Sequence, residues 1–380
     1  MHVGYSAFFQ NLSGEHTDAD VWQHELSIVD KVEAAGFDSV WAPEHHFTNY
    51  VMCPDTTQFL TWVAARTERV QLGAMISVLP WHDPVRLAEE WSMLDHCSGG
   101  RAILGLGRGL GRVEFERFRV DMSESRGRFT EYAAAILGAL ETGYIESDGE
   151  HYRQPRAAIR PFPSRSFRGR AYASAVSPES MDLMARLGVG VLVIAQKPWK
   201  TTIAELDAYR ARFVELNGDE PPRPIIAVFC AVGESADHAE ELHEHYLMAY
   251  AESALDHYQF DDAGIAEIPG YEYYAGLSAN IDKHGRRAFA AFLADLQVWG
   301  DPGQVTEQLI EYQRMIGAGA VVGVFSYGGM PFAEVDAGLD RFTTHCLPAL
   351  AAHPVEGGLP AAGDRRTEVG ATTSPTRVRW

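Results

Sequence analysis

The stretch WQHELSIVDKVEAAGFDSVWAPEHHF, residues 22–47, decides the fold. Leu26, Val29 and Val32 recur at helical spacing, Gly36 stands where a helix stops, and Phe37–Ala42 is an apolar run of strand length. The same helix, turn and strand recur further on. SPESMDLMARLG (177–188) runs into VGVLVIA (189–195). Near the end, Asp301 and Pro302 supply an N-cap and first helical position, Val305, Leu309, Tyr312 and Ile316 form the stripe, and AVVGVF (320–325) follows.

Collecting such runs predicts strands at about residues 2–9, 37–42, 70–78, 102–107, 170–175, 189–195, 224–232 and 320–326, mostly separated by helical segments. Strands that read as continuous apolar runs are buried on both faces, which parallel sheets require. Eight of them predict an α/β chain folded as a (β/α)8 TIM barrel. The rival is an open dinucleotide-binding sheet. Its support is GLGRGLG at 105–111, but Leu110 and Arg112 occupy the third-glycine positions of G-x-G-x-x-G, and no acidic residue ends a second strand at the expected distance.

Two segments fall outside the repeat. Residues of about 236–300 form a helical excursion with a Tyr- and Gly-rich stretch, longer than an ordinary connection and placed where a barrel carries an active-site lid. From about 351 to 380 the chain is poor in core-forming residues and reads as a disordered tail, leaving 1–350 as the barrel domain.

Composition narrows the function. Of 380 residues, 46% are hydrophobic and 22% charged, as in folded globular chains. A formal charge of −20 disfavours nucleic acid and anionic membrane surfaces as partners. The 4 cysteines are far apart and form no C-x-x-C pair, which argues against a zinc knuckle or disulfide scaffold and for a reducing cytoplasm. The N-terminus lacks a basic region and turns polar too early for a signal peptide, and no apolar run is long enough for a bilayer span.

In a barrel the chemistry lies just past the C-terminal ends of the strands. Pro43-Glu44-His45-His46-Phe47 follows the second strand. Adjacent histidines on extended chain point apart, so they do not chelate one ion; one faces the mouth, and His45 is the candidate acid/base, with a structural hydrogen-bonding role as the competing reading. Arg108 lies beyond the fourth strand among glycines, and Ser177-Pro178-Glu179-Ser180 opens a helix after the fifth. Together they suit a phosphate, although Ser177 serves equally as a simple cap. His243-Glu244-His245 lacks the H-E-x-x-H spacing, since Leu247 stands where the second histidine belongs, and reads as a solvated helix face; no metal is expected. Trp81 either borders a pocket or plugs one, and Tyr271, Tyr273 and Tyr274 either cover a substrate or pack a loop.

The segments AAGFDSVWAPEHHF (34–47), SVLPWHDPVRLAEEWSMLDHCSGGR (77–101), LGLGRGL (104–110), VWGDPGQVTEQL (298–309), GAGAVVGVFSYGGMP (317–331) and LPAL (347–350) resemble, in order, the signatures of the bacterial luciferase-like family of flavin-dependent monooxygenases. The resemblance implies a TIM barrel with an insertion after the seventh strand, and a homodimer. It implies FMN, delivered as FMNH2 by a separate NAD(P)H:flavin reductase, with O2 as co-substrate and a C4a-peroxyflavin intermediate. It places the flavin phosphate near Arg108, Ser177 and Ser180, makes His45 the acid/base residue, and sets a non-prolyl cis peptide around Ala74, Met75 and Ile76. Light-emitting members carry a cysteine where Gly107 stands, so this chain opens space beside the flavin and gives no basis for luminescence. Phe9, Trp41, Trp81 and Tyr271 would then suit a bulky apolar or aromatic substrate, oxygenated by hydroxylation or Baeyer–Villiger insertion. F420-dependent hydride transfer on the same barrel and a noncatalytic flavin-binding protein are the alternatives.

Overall fold

In the computed structural model, which describes residues 1–12, 14–174, 177–356 and 358–359, the stretch 22–47 folds as a helix, a glycine turn and a strand. A helix spans Asp18–Ala35. Thr17 caps it by accepting from the Asp20 N–H, and Asp20 returns the favour to the Thr17 backbone. Gly36, at φ +104°, ends it in the left-handed region that a side chain would strain.

Eight parallel strands close the barrel: β1 (His2–Ser6), β2 (Ser39–Ala42), β3 (Gln71–Ala74), β4 (Ala102–Gly107), β5 (Ala171–Ser174), β6 (Gly190–Ile194), β7 (Ile225–Val232) and β8 (Ala320–Val324). Each pairs with the next, and β8 pairs with β1 to complete the ring. The expected run 2–9 stops at Ser6, and the expected run 70–78 is interrupted at Met75–Ile76, whose peptide is cis, before Ser77–Val78 resumes pairing beside β4. An antiparallel hairpin, Tyr144–Asp148 with Arg153–Ala158, lies outside the repeat. The Asp148-Gly149 pair at its turn is the local signal for it.

Inside the ring, Trp41, Ile103, Tyr172, Leu192, Ile225 and Val322 form one buried layer, against which Leu359 packs. Trp41 fits there because its neighbours have no side chain: a Cβ on Gly73 would lie 2.2 Å from the indole, and one on Gly4 2.8 Å from its Nε1. At the other end the last residues of the strands, Ser6, Ser174, Ile194 and Val324, border a cavity.

The excursion after β7 comprises helices Ala236–Leu242 and Met248–Tyr258, joined by a π-helical turn, then helices Ala275–His284 and Arg286–Asp295. His243 packs against Trp299 rather than facing solvent, so the solvated face expected there applies to His245. The domain boundary expected at 351 cuts a helix, Leu347–Ala352, held by the chain's amino terminus, which donates to the Leu350 and His353 carbonyls. Residue 357 and residues 360–380 of the expected tail lie outside the described residues. Among the described residues, no helix is long and apolar enough to cross a membrane.

Candidate active site

The cavity at the C-terminal ends of the strands has a volume of about 400 Å³ and a mostly apolar lining. Its polar groups gather at two ends.

At the first end stands His45, just past β2. Its Nδ1 lies 3.2 Å from Glu114 Oε1, and that oxygen also accepts the His46 backbone N–H at 2.8 Å. Glu114 belongs to helix Arg112–Phe118, and its side chain is 1% exposed. Burial pushes its carboxyl up, but the charge of His45 and the ring nitrogens of His257 and His45 outweigh this and hold it down at about 2. An ionised carboxylate only accepts, so His45 Nδ1 carries a proton, and in the neutral form of the ring Nε2 is the acceptor. The Tyr258 hydroxyl, 3.2 Å away, donates to it.

His46 points elsewhere, as its place in an extended segment requires. Its Nε2 meets Glu44 Oε1 at 3.0 Å, and Glu44 also accepts the Val78 N–H at 2.8 Å and pairs with His82 at 2.8 Å. Burial again opposes ionisation of Glu44, but His82 and these hydrogen bonds prevail and lower its pKa. His46 therefore braces the scaffold that presents His45.

Met75, Ile76 and Val78 form part of the apolar lining. Ala74 and Gly107 stand behind it rather than in it. The space expected at Gly107 is taken by Ile76, whose Cδ1 would be 1.4 Å from a Cβ there, because the chain after β3 continues along β4. Gly105 is held as tightly: its Cβ would lie 1.8 Å from the Ala74 carbonyl oxygen.

At the second end, Arg108 and Arg126 converge on one atom. Arg108 Nη1 donates to the Gly270 carbonyl at 2.6 Å and Arg126 Nη2 to the same oxygen at 3.0 Å. Arg126 also pairs with Glu179 at 2.6 Å. Alongside, Ser177 caps helix Pro178–Leu187 by accepting from Ser180 N, and the two hydroxyls lie 3.0 Å apart. β4 and β5 are paired neighbours, so the expected convergence of Arg108 with this helix start is present.

Of the four substrate-facing candidates, Trp81 lines the cavity. Phe9 does not: it stacks on Trp22 at 4.0 Å and is fully buried, while its neighbour Phe8 takes the cavity side. Trp41 lies in the barrel's inner layer, with its Nε1 donating to Ser39 Oγ at 2.8 Å. Tyr271 sits beneath the Arg108 guanidinium, 3.9 Å from its ring centre, and its hydroxyl donates to the Gly109 carbonyl. Tyr273 and Tyr274 reach the cavity in its place, together with Tyr50, Phe229, Tyr250, Tyr258 and Phe260.

Sequence reasoning missed Glu114, Arg126, His257 and Tyr258. A family model described as luciferase-like monooxygenase matches residues 1–318. The chain belongs to the luciferase-like monooxygenase family. It is accordingly an oxidoreductase. The alkanal monooxygenase alpha chain of Aliivibrio fischeri is 26% identical over 326 residues, 84% of this chain and 91% of that one. The oxygenating constituent of 3,6-diketocamphane monooxygenase from Pseudomonas putida, a type II Baeyer–Villiger enzyme solved with FMN, superposes with a TM-score of 0.69 at 16% identity, covering 92% of this chain and 98% of that one. An F420-dependent secondary alcohol dehydrogenase solved with an F420–acetone adduct gives 0.67 at 14% identity, covering 90% and 97%. Structures of this shape thus accompany both FMN and F420, and the similarity in structure speaks for the fold.

Proposed function

We propose that this protein is the oxygenating half of a two-component system: it takes FMNH2 from a separate NAD(P)H:flavin reductase, uses O2, and oxygenates a bulky apolar or aromatic small molecule by hydroxylation or Baeyer–Villiger insertion. It works as a homodimer in a reducing cytoplasm, where its four free cysteines stay reduced.

One observation carries the reading: a single apolar cavity has a carboxylate-backed histidine at one end and two converging guanidiniums beside a helix N-terminus at the other. That arrangement suits a flat ring system with an anionic tail, because the arginines at present share a backbone carbonyl, an acceptor that a phosphate would outbid. Bound there, FMNH2 supplies the electrons that activate oxygen. Arg108, Arg126, Ser177 and Ser180 hold its phosphate. Met75, Ile76 and Val78 orient the ring, and the aromatic wall excludes water from the reacting atoms. His45 moves the proton at Nε2, while Glu114 stabilises the charge the imidazole then carries.

The test is product analysis by mass spectrometry over a panel of aromatic and alicyclic candidates, with a flavin reductase, NADPH, FMN and ¹⁸O2. Incorporation of one labelled atom is expected. Unlabelled product formed under argon with reduced F420 would establish the hydride-transfer reading instead, and flavin binding with no product under either regime would leave a noncatalytic binder.

A further inference from the structure

His257 takes no part in the proposed chemistry, yet its surroundings are specific. It lies near the end of insertion helix Met248–Tyr258 and touches two other parts of the chain, the loop after β2 and helix Arg112–Phe118. Its ring stacks on Tyr50 with centroids 4.4 Å apart and planes 13° from parallel, and it meets the His45 ring edge-on at 4.8 Å. Nδ1 lies 3.2 Å from Thr48 Oγ1. Nε2 faces Glu114 Oε2 across 3.6 Å, and neither of these buried atoms has a hydrogen-bond partner. At that length the contact is electrostatic rather than a formed hydrogen bond, and each atom is the other's compensation for burial.

The proton positions follow from the neighbours. The Tyr50 backbone N–H donates to Thr48 Oγ1 at 3.4 Å, so the threonine's own hydrogen is free to point at His257 Nδ1. The ring proton then sits on Nε2, aimed at Glu114. One carboxylate thus serves two imidazoles, one per oxygen.

We propose that His257 is a positioning residue that acts through Glu114: by sharing the carboxylate with His45 it sets how firmly His45 holds a proton. The proposal rests on His45 being the acid–base group. A carboxylate facing two N–H donors is a weaker partner for each than a carboxylate facing one. Two charged imidazoles at this separation would repel, and burial together with the charge of a protonated His45 pushes the pKa of His257 down. The other titratable groups at His45 are Tyr50, from the loop after β2, and Tyr258, from the insertion helix, with Tyr250 behind them. Burial pushes all three phenols far up, so they stay neutral, and Glu114 and His257 govern the field at His45.

The test is a ¹H–¹⁵N imidazole NMR titration of the full flavin-free chain, comparing two variants. His257→Phe keeps a ring to stack on Tyr50 but has no N–H. His257→Gln keeps an N–H for Glu114 but has no ring. In His257→Phe the His45 titration midpoint is expected to move up by about one pH unit, a tenfold tighter hold on the proton, and in His257→Gln to stay near the wild-type value. No movement in the Phe variant, or movement in Gln but not Phe, would overturn the proposal and leave His257 as packing. Should His257→Phe fail to fold, Thr48→Val, which frees the ring to change tautomer, must move the midpoint in the same direction, and an unchanged midpoint there overturns it equally. Neither flavin nor substrate enters the titration, so its failure leaves the monooxygenase reading to stand or fall on labelled oxygen.

Discussion

The two ends of the barrel interior are built from the same eight strands and solve opposite problems. Around Trp41 the space is filled by matching volumes, with glycines at Gly4 and Gly73 giving the indole its room and Ser39 taking its N–H. At the mouth the space is kept open, and its edges are held by charges that satisfy one another: Glu114 with two histidines, two arginines with one carbonyl. The inner layer depends on shape and tolerates little change of size. The mouth depends on pairing and tolerates exchange of partners. Stability and chemistry are thereby assigned to different halves of the same strands.

Trp41→Ala should have the largest effect. Removing a fully buried indole from a filled layer is expected to cost about 3–5 kcal/mol in urea unfolding, with the FMN dissociation constant of the folded fraction unchanged. A parallel loss of flavin affinity would show that the two halves are not independent. Next comes Glu114→Gln. A carboxyl held at about 2 against an ordinary 4.5 gives stability that is fully present above pH 4.5 and is lost as pH falls through 2. Wild type should therefore exceed the variant by about 2–3 kcal/mol at pH 7, with the gap closing towards pH 2; a constant gap across that range would remove the carboxylate's charge from the account. Smaller still, Arg126→Ala and Arg108→Ala should each weaken FMN binding about tenfold, read by quenching of flavin fluorescence, with unchanged circular dichroism. Because both guanidiniums share one oxygen, the double variant should lose less than the sum.

All eight strands were legible because a strand buried on both faces reads as an apolar run, and Gly36 marked where the helix before β2 stops. Phe9 and Trp41 show where that reading ends. Alternation along a strand tells which side a residue takes, and applying it would have preferred Phe8 to Phe9. It does not tell depth: Trp41 points into the barrel as expected but lies in the filled layer below the cavity. His45, Arg108, Ser177 and Ser180 were legible because the barrel itself places strand ends at the site. Their partners were not. Glu114 is 69 residues from His45 and Tyr258 is 213. No local periodicity records which distant side chain will meet which, and Arg126, in the first turn of helix Ser125–Thr142, looks in sequence like any solvated arginine.

The carbonyl of Gly270 gives the anion end one more property. A pair of guanidiniums left facing each other would drift apart or recruit any passing salt, but here the polypeptide lends them a placeholder from its own backbone. In the proposed binding mode, ligand entry would be a swap, and its affinity the difference between two occupied states rather than the gain over an empty one. Changes to the loop that carries residue 270, at the opposite group of residues from His45, should tune retention and release of cofactor, which gives evolution a dial for turnover that leaves the reacting end untouched.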